Sequence, residues 1–152
     1  NPQLFEVPAE LFADPSSQPL RDERFGPLAL LIRYNSDEEL RAALHITEPA
    51  LTFSIFGAAS DPDAEWLIEF AETKAGRVIM NAYPTGVGVS WSMQHGGPWP
   101  STTSSMTTSV GAASIDRWTR PVTFQNVPAA LLPEALRDQN PLAVPQRVDG
   151  AR

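Results

Sequence analysis

Three apolar runs, each separated from the next by a segment of helical spacing, restrict this chain to few folds. The runs are Leu28–Tyr34, Leu51–Phe56 and Arg77–Asn81. Leu28–Tyr34 is continuously apolar, which is typical of a strand that is covered on both faces, as in parallel sheets, and Leu51–Phe56 is rich in residues that favour strands. Parallel strands need a crossover, usually a helix, between them. The sequence therefore predicts an α/β fold with the order β-α-β-α-β and a parallel sheet.

The ends of both crossover helices are marked by capping residues. Ser36 and Glu39 form an S-x-x-E capping box ahead of apolar residues at helical spacing. Asp61 followed by Pro62 is typical of an N-cap and a first helical position. Gly76 is expected to end the second helix, because glycine adopts the left-handed conformation that often follows a helix.

Proline-rich stretches lie before and after this pattern, and the prolines of Asn1–Pro27 predict loops or extended segments. Ala82–Thr107 is predicted to be a long loop, which in a compact chain is usually functional or poorly ordered. Ser109–Trp118 is expected to be a short helix. Pro121–Asn126 is predicted to be an edge strand, because Pro121 cannot donate to a central ladder. The last 25 residues are expected to form an extended tail.

Charge and cysteine content exclude several classes of function. The net charge of −7 argues against a nucleic-acid partner, since phosphate binding needs a basic face. No apolar run reaches the ~18 residues of a membrane span, and no signal peptide is recognised, so a cytoplasmic protein is expected. The absence of cysteine excludes disulfides, thiolate metal sites and a cysteine nucleophile within these residues. No metal site is predicted.

A first motif, Asp22–Pro27 (DERFGP), lies directly before the first apolar run. From composition alone, its glycine and proline indicate a turn in which Glu23 is simply solvated. The pattern E-x-F-G-P before an apolar strand also resembles the signature of the aldehyde dehydrogenases. That resemblance implies that Glu23 hydrogen-bonds the ribose of the nicotinamide nucleotide and that Phe25 packs beside the nicotinamide ring. A carboxylate suits two vicinal hydroxyl donors.

A second motif, G-x-V-x-x-N at Gly76–Asn81, is similar to a strand of the same family. The resemblance implies that the loop after this strand lines the aldehyde tunnel through Tyr83, Pro84, Thr85 and Val87. An asparagine at the end of a strand often only stabilises a turn, so Asn81 is interpreted as structural.

A third motif, Met93–Pro100 (MQHGGPWP), keeps a Gly-Gly pair that the family shows but has His95 where most members have phenylalanine. This departure and the segments around it resemble the branch that oxidises α-ketoglutarate semialdehyde (2,5-dioxovalerate). His95 is then either a plain loop residue or a donor to the distal carboxylate of the substrate. His45 lies near the end of the first helix. It is interpreted as a residue whose only role is a favourable interaction with the helix dipole.

Taken over the whole chain, the resemblance implies the C-terminal part of an NAD- or NADP-dependent aldehyde dehydrogenase. Residues 1–118 would complete the catalytic domain, and residues 119–152 would supply an oligomerisation strand and a tail. The cysteine nucleophile, the glutamate general base and the cofactor domain would belong to the rest of the subunit, so the chain alone is predicted to be inactive. The expected partners are that remainder, further copies joined through Pro121–Asn126, and a small aldehyde.

Two other classes remain open from the sequence. The chain would alternatively be a non-catalytic α/β module that acts through oligomerisation, since an edge strand can pair with another chain. A less favoured alternative is an unrelated small α/β binding domain. A cysteine and a dinucleotide-binding domain encoded upstream would distinguish the enzyme from both.

Overall fold

The structure, a computed structural model, describes residues 1–151. It divides into two compact units, Asn1–Trp118 and Thr119–Arg152. All four strands lie in the first unit, and each strand has one parallel partner. An α/β architecture with small parallel sheets is therefore confirmed.

The first sheet pairs β1 (Gln3–Pro8) with β2 (Leu28–Arg33). The crossover between them contains α1 (Ala9–Ala13) and a 3-10 helix (Pro15–Leu20). A small apolar core forms where α1 meets the next helix, with Ala9, Phe12 and Ala43 buried and Val7, Leu30, Ile32 and Ile46 packed against them. The prolines of Asn1–Pro27 predict only loops or extended segments here, so neither α1 nor the pairing of β1 was predicted.

Helix α2 (Asp37–Ile46) begins at the predicted capping box. The Ser36 hydroxyl accepts a hydrogen bond from the Glu39 backbone N–H at 3.3 Å. The Glu39 carboxylate does not return to Ser36 but accepts from the Asn35 backbone N–H at 2.8 Å. The predicted helix start is confirmed. The second hydrogen bond of the capping box, from a backbone N–H to Glu39, comes from Asn35 and not from Ser36.

The second sheet pairs β3 (Ala50–Ile55) with β4 (Ala75–Met80), and α3 (Ala64–Lys74) connects them. Asp61 accepts from the Asp63 backbone N–H at 3.1 Å, so it stabilises a turn that leads into the helix and is not the N-cap itself. The prediction that Gly76 ends the helix was wrong, because α3 ends at Lys74 and Gly76 lies inside β4.

The predicted three-stranded sheet is wrong in its connectivity. The strand β2 pairs with β1 and not with β3, so the chain forms two sheets of two strands. The two halves meet through helix side chains. Lys74 Nζ at the end of α3 donates to the carbonyl oxygens of His45 and Thr47 at 3.1 and 2.6 Å, and the Arg41 guanidinium lies 3.8 Å from the Trp66 ring centre.

Residues 81–111 contain no helix or strand, which agrees with the predicted long loop. A 3-10 helix follows at Ala112–Trp118, three residues shorter than expected. In the second unit, short 3-10 helices lie at Ala129–Leu131 and Glu134–Leu136. Within residues 1–151 the segment Pro121–Asn126, predicted as an edge strand, pairs with no other strand. Its pairing with a second copy stays a prediction.

None of the helices in the described part of the chain is both long enough and apolar enough to cross a membrane.

Candidate functional site

The loop that carries Asp22–Pro27 is fixed to the preceding 3-10 helix by two arginines. Arg21 donates to the carbonyl oxygens of Phe12 and Asp14. Arg24 Nη2 donates to the Pro19 carbonyl at 3.0 Å and lies 3.6 Å from the Asp22 carboxylate. These contacts hold the backbone of the loop in place and leave the two side chains that flank Arg24 free to face outward.

Glu23 and Phe25 are those two side chains. Within residues 1–151 the Glu23 carboxylate forms no hydrogen bond or ion pair, and Phe25 is 95% exposed. An aromatic side chain of this exposure has no packing role in the chain itself. The arrangement fits a carboxylate acceptor and an aromatic face offered to a ligand, which is what the resemblance implies for a nicotinamide nucleotide. A groove of about 440 Å³ beside the loop is lined by Asp22 and Arg24 but not by Glu23 or Phe25.

Asn81 joins the ends of β3 and β4. Its side-chain amide donates to the Gly57 carbonyl at 2.8 Å and accepts from the Gly57 N–H at 2.9 Å, with φ at 52°. Asparagine tolerates this left-handed conformation better than most residues. The structural interpretation of Asn81 therefore accounts for all of its contacts.

The predicted tunnel-lining segment follows directly after Asn81. The Tyr83 ring packs against Phe56 with ring centres 5.0 Å apart, although most of Tyr83 is exposed. The Thr85 backbone N–H donates to the Tyr83 carbonyl at 2.8 Å, which tightens the turn. Pro84, Thr85 and Val87 are exposed. The segment thus presents an aromatic and apolar surface at the carboxyl ends of β3 and β4.

His95 is part-buried and leads into the buried pair Gly96 and Gly97. This pair lies against β4 so closely that a Cβ on Gly76 would come within 2.6 Å of the Gly97 nitrogen. A Cβ on Gly97 would be 2.9 Å from the Ala50 carbonyl oxygen, and Gly97 has φ of +97°. Gly76 is therefore required for the close approach of two backbones, which explains its place inside β4.

Thr108 binds the backbone of His95 through its hydroxyl group. It is 4% exposed, and within the described residues it is the buried polar side chain. Its Oγ1 accepts from the His95 backbone N–H at 3.1 Å and donates to the Val110 carbonyl at 3.0 Å. Thr108 was not predicted, since a threonine in a Ser- and Thr-rich loop gives no local signal of burial.

A small cavity of about 170 Å³ lies next to this segment. It is bounded by Gly96 and Leu51, and its polar lining consists of His95, Ser101, Thr102, Thr107, Ser109 and Arg117. Arg117 was not predicted to belong to a site. Of the predicted site residues, His95 lines this cavity, whereas Glu23, Phe25 and the Tyr83–Val87 segment do not. The described residues contain no cluster of His, Asp and Glu that would hold a metal ion.

Comparison with known proteins places these features in context. No family model matches the chain. It is 44% identical over 149 residues to "Alpha-ketoglutaric semialdehyde dehydrogenase 2" of Azospirillum brasilense, covering 97% of this chain and 28% of that protein. It is 40% identical over 150 residues to "Alpha-ketoglutaric semialdehyde dehydrogenase" of Acinetobacter baylyi, covering 98% of this chain and 28% of that protein.

The chain therefore spans a little over a quarter of the length of these curated relatives. The resemblance found in the sequence motifs is confirmed, because the chain is similar over nearly its whole length to part of two proteins that carry the name of the predicted branch.

Proposed function

We propose that this chain is the C-terminal part of an NAD(P)-dependent aldehyde dehydrogenase that oxidises α-ketoglutarate semialdehyde to the dicarboxylic acid. The observation that carries the proposal is the 44% identity to a protein of that name over nearly the whole chain. In this proposal the chain supplies one wall of the cofactor site and one wall of the aldehyde tunnel. The reacting thiolate belongs to the remainder of the subunit, since the chain has no cysteine.

The residues of the chain have separate tasks in this reaction. NAD or NADP, when bound, would supply the hydride acceptor. Glu23 accepts hydrogen bonds from the ribose hydroxyls, which fits a carboxylate without a partner among residues 1–151. Phe25, almost fully exposed, packs against the nicotinamide ring and limits its orientation. Tyr83, Pro84, Thr85 and Val87 exclude water from one side of the aldehyde, and His95 faces its distal end.

The alternative of a self-sufficient, non-catalytic module is less favoured by the fold. Both sheets contain two strands, and sheets of this size are marginally stable without further cover. Large apolar side chains on the first sheet remain exposed, among them Leu4, Phe5 and Leu31. A part of a larger enzyme would have this surface covered by the rest of its subunit.

The assay of the full-length enzyme with the semialdehyde and NAD or NADP tests the proposal directly. In that enzyme, Glu23→Gln is expected to lower the rate of hydride transfer and weaken cofactor binding. A hydrogen bond to a charged acceptor contributes about 1.5–3 kcal/mol, which corresponds to roughly ten- to hundredfold. Single-turnover kinetics and cofactor titration measure the two effects. Glu48→Gln, at an exposed carboxylate outside the motif, is the matched control, and equal kinetics for both variants would leave Glu23 as a turn residue.

The isolated chain is expected to self-associate through the apolar surface that the enzyme would cover. Exposed patches larger than a few hundred Å² are rare on stable monomers. Val122 and Phe124, both exposed, lie in the predicted oligomerisation strand. Sedimentation velocity across a concentration series should show growing species, and lysine at both positions should reduce them more than Leu131→Lys does. A single monomer at high concentration with a cooperative thermal transition would favour the stand-alone module.

A further inference from the structure

The cavity beside Gly96 has an unusual balance of charge for this chain. Its one formally charged lining residue is Arg117, and no carboxylate lines it. The groove beside β1 and β2 differs, because Glu6 and Asp22 lie there together with Arg24. Since acidic residues outnumber basic ones by 18 to 11 in the sequence, an uncompensated cation in a cavity is not what composition alone would produce.

The guanidinium of Arg117 is available for a ligand. Arg117 is exposed, and its recorded contact is with the Trp118 ring, whose centre lies 5.8 Å away. Within residues 1–151 it forms no salt bridge. Arginine presents donors in a planar fork that matches the two oxygens of a carboxylate. The hydroxyls of Ser109 and Thr102 in the same cavity are further donors of the kind that such an anion accepts from.

Thr108 fixes the part of the cavity wall that His95 and Gly96 form. Its buried hydroxyl accepts from the His95 backbone N–H at 3.1 Å, and Gly96 and Gly97 are held against β4. His95 Nδ1 is buried without a hydrogen-bond partner among the described residues. A buried polar atom left in this state costs about 1–3 kcal/mol, so it calls for a partner. The rigid backbone keeps the imidazole at the cavity wall.

The size of the cavity limits the ligand. One water occupies about 30 Å³ in the liquid, so about 170 Å³ holds several non-hydrogen atoms. Pockets for ligands of drug or nucleotide size are about 300–1,000 Å³. The space therefore suits a carboxylate group of a ligand and the few carbon atoms next to it, but not a nucleotide.

We propose that this cavity binds the carboxylate of a small acid, with Arg117 as the residue that selects the charge. Ser109 and Thr102 donate to the same group, and Thr108 acts as a positioning residue through His95. The identity of the acid rests on the proposed function: it is the carboxylate distal to the aldehyde of the semialdehyde substrate. The cavity would then distinguish this substrate from a neutral aldehyde of the same length.

The full-length enzyme tests the proposal by comparing kcat/KM for α-ketoglutarate semialdehyde with kcat/KM for pentanal. Arg117→Met is expected to lower the ratio about ten- to hundredfold, chiefly through KM for the semialdehyde, because a charge-assisted hydrogen bond is lost. Arg120→Met makes the same change of charge three residues further along the chain and should leave the ratio as it is. An unchanged ratio in Arg117→Met overturns the proposal. Arg117→Gln replaces it if the methionine variant does not fold.

Substitutions of Thr108 provide a second test of the proposal. Thr108→Val removes the acceptor for the His95 N–H and should lower the same ratio, and Thr108→Ser should restore it because the hydroxyl returns. A loss that affects both aldehydes equally, or that serine does not rescue, contradicts the positioning role.

Binding of glutarate, measured by calorimetry, separates this inference from the proposed function. Loss of glutarate binding in Arg117→Met supports the cavity even if the wild-type enzyme fails to oxidise the semialdehyde, which would refute the proposed function alone. Equal binding of glutarate and the neutral glutaramide overturns the carboxylate site, and preference for inorganic phosphate over glutarate does the same.

Discussion

Purified without the rest of the enzyme, the 152-residue chain is expected to reduce neither NAD nor NADP with any aldehyde. Aldehyde oxidation of this class needs a thiolate to attack the carbonyl carbon before hydride can leave it. The chain contains no cysteine, and the residues proposed for the reaction bind and orient but do not react. The effect is all-or-none and is measured by the absorbance of the reduced nicotinamide at high protein concentration.

The control for this experiment is the same chain with Glu23→Gln. Activity from a contaminating dehydrogenase would be equal in both preparations, whereas activity of the chain itself would respond to the substitution. Saturable reduction that scales with the concentration of the wild-type chain and falls in the variant would contradict the prediction. It would also show that the nucleophile of this protein is not a cysteine.

Gly97→Ala is expected to cause the largest loss of stability of any single substitution considered for this chain. The new Cβ would lie 2.7 Å from the Ser101 hydroxyl and 2.9 Å from the Ala50 carbonyl oxygen and the Gly76 nitrogen. Two of these neighbours are backbone atoms that cannot rotate away. Overpacking costs about 1–3 kcal/mol and a strained positive φ of +97° adds about 1–3 kcal/mol, so about 2–6 kcal/mol is expected.

Gly86→Ala is the matched control in the same loop, because a Cβ there meets nothing within 4 Å and no positive φ is required. Thermal unfolding of the full-length enzyme measures both variants. Gly76→Ala should resemble Gly97→Ala, since its Cβ would come within 2.9 Å of Gly96 backbone atoms. If Gly97→Ala and Gly86→Ala unfolded at the same temperature, the close packing of the loop on β4 would be refuted.

Much of the secondary structure could be predicted because its causes are local. The Ser36 cap and the apolar spacing after it place the start of α2 within a residue. Three apolar runs correspond to β2, β3 and β4 with ends shifted by one or two residues. β1 was missed because Pro2 and Pro8 suggested irregular structure. Proline is tolerated at its end, where a strand that pairs on one side needs no further donor.

The candidate site was predicted unevenly for the same reason. Glu23, Phe25 and His95 stand in short motifs, so their sequence neighbours carry the information. Thr108 and Arg117 reach His95 and its cavity only through folding, across 13 or more residues of loop. Neither residue has a neighbour in the sequence that distinguishes it from the other threonines and arginines of the chain.

The sequence alone determined the start of α2 and the approximate positions of β2, β3 and β4, since capping and side-chain periodicity act over a few residues. Its motifs also predicted the resemblance to aldehyde dehydrogenases that the two relatives confirm. The tertiary structure alone decided which strand pairs with which, because hydrogen bonds between strands are equally available to any extended neighbour and the choice depends on packing across the whole chain. The tertiary structure also decided the role of Gly76. A glycine after a helix and a glycine beneath a crossing backbone are identical in sequence, and only the Gly96–Gly97 backbone lying against β4 distinguishes them.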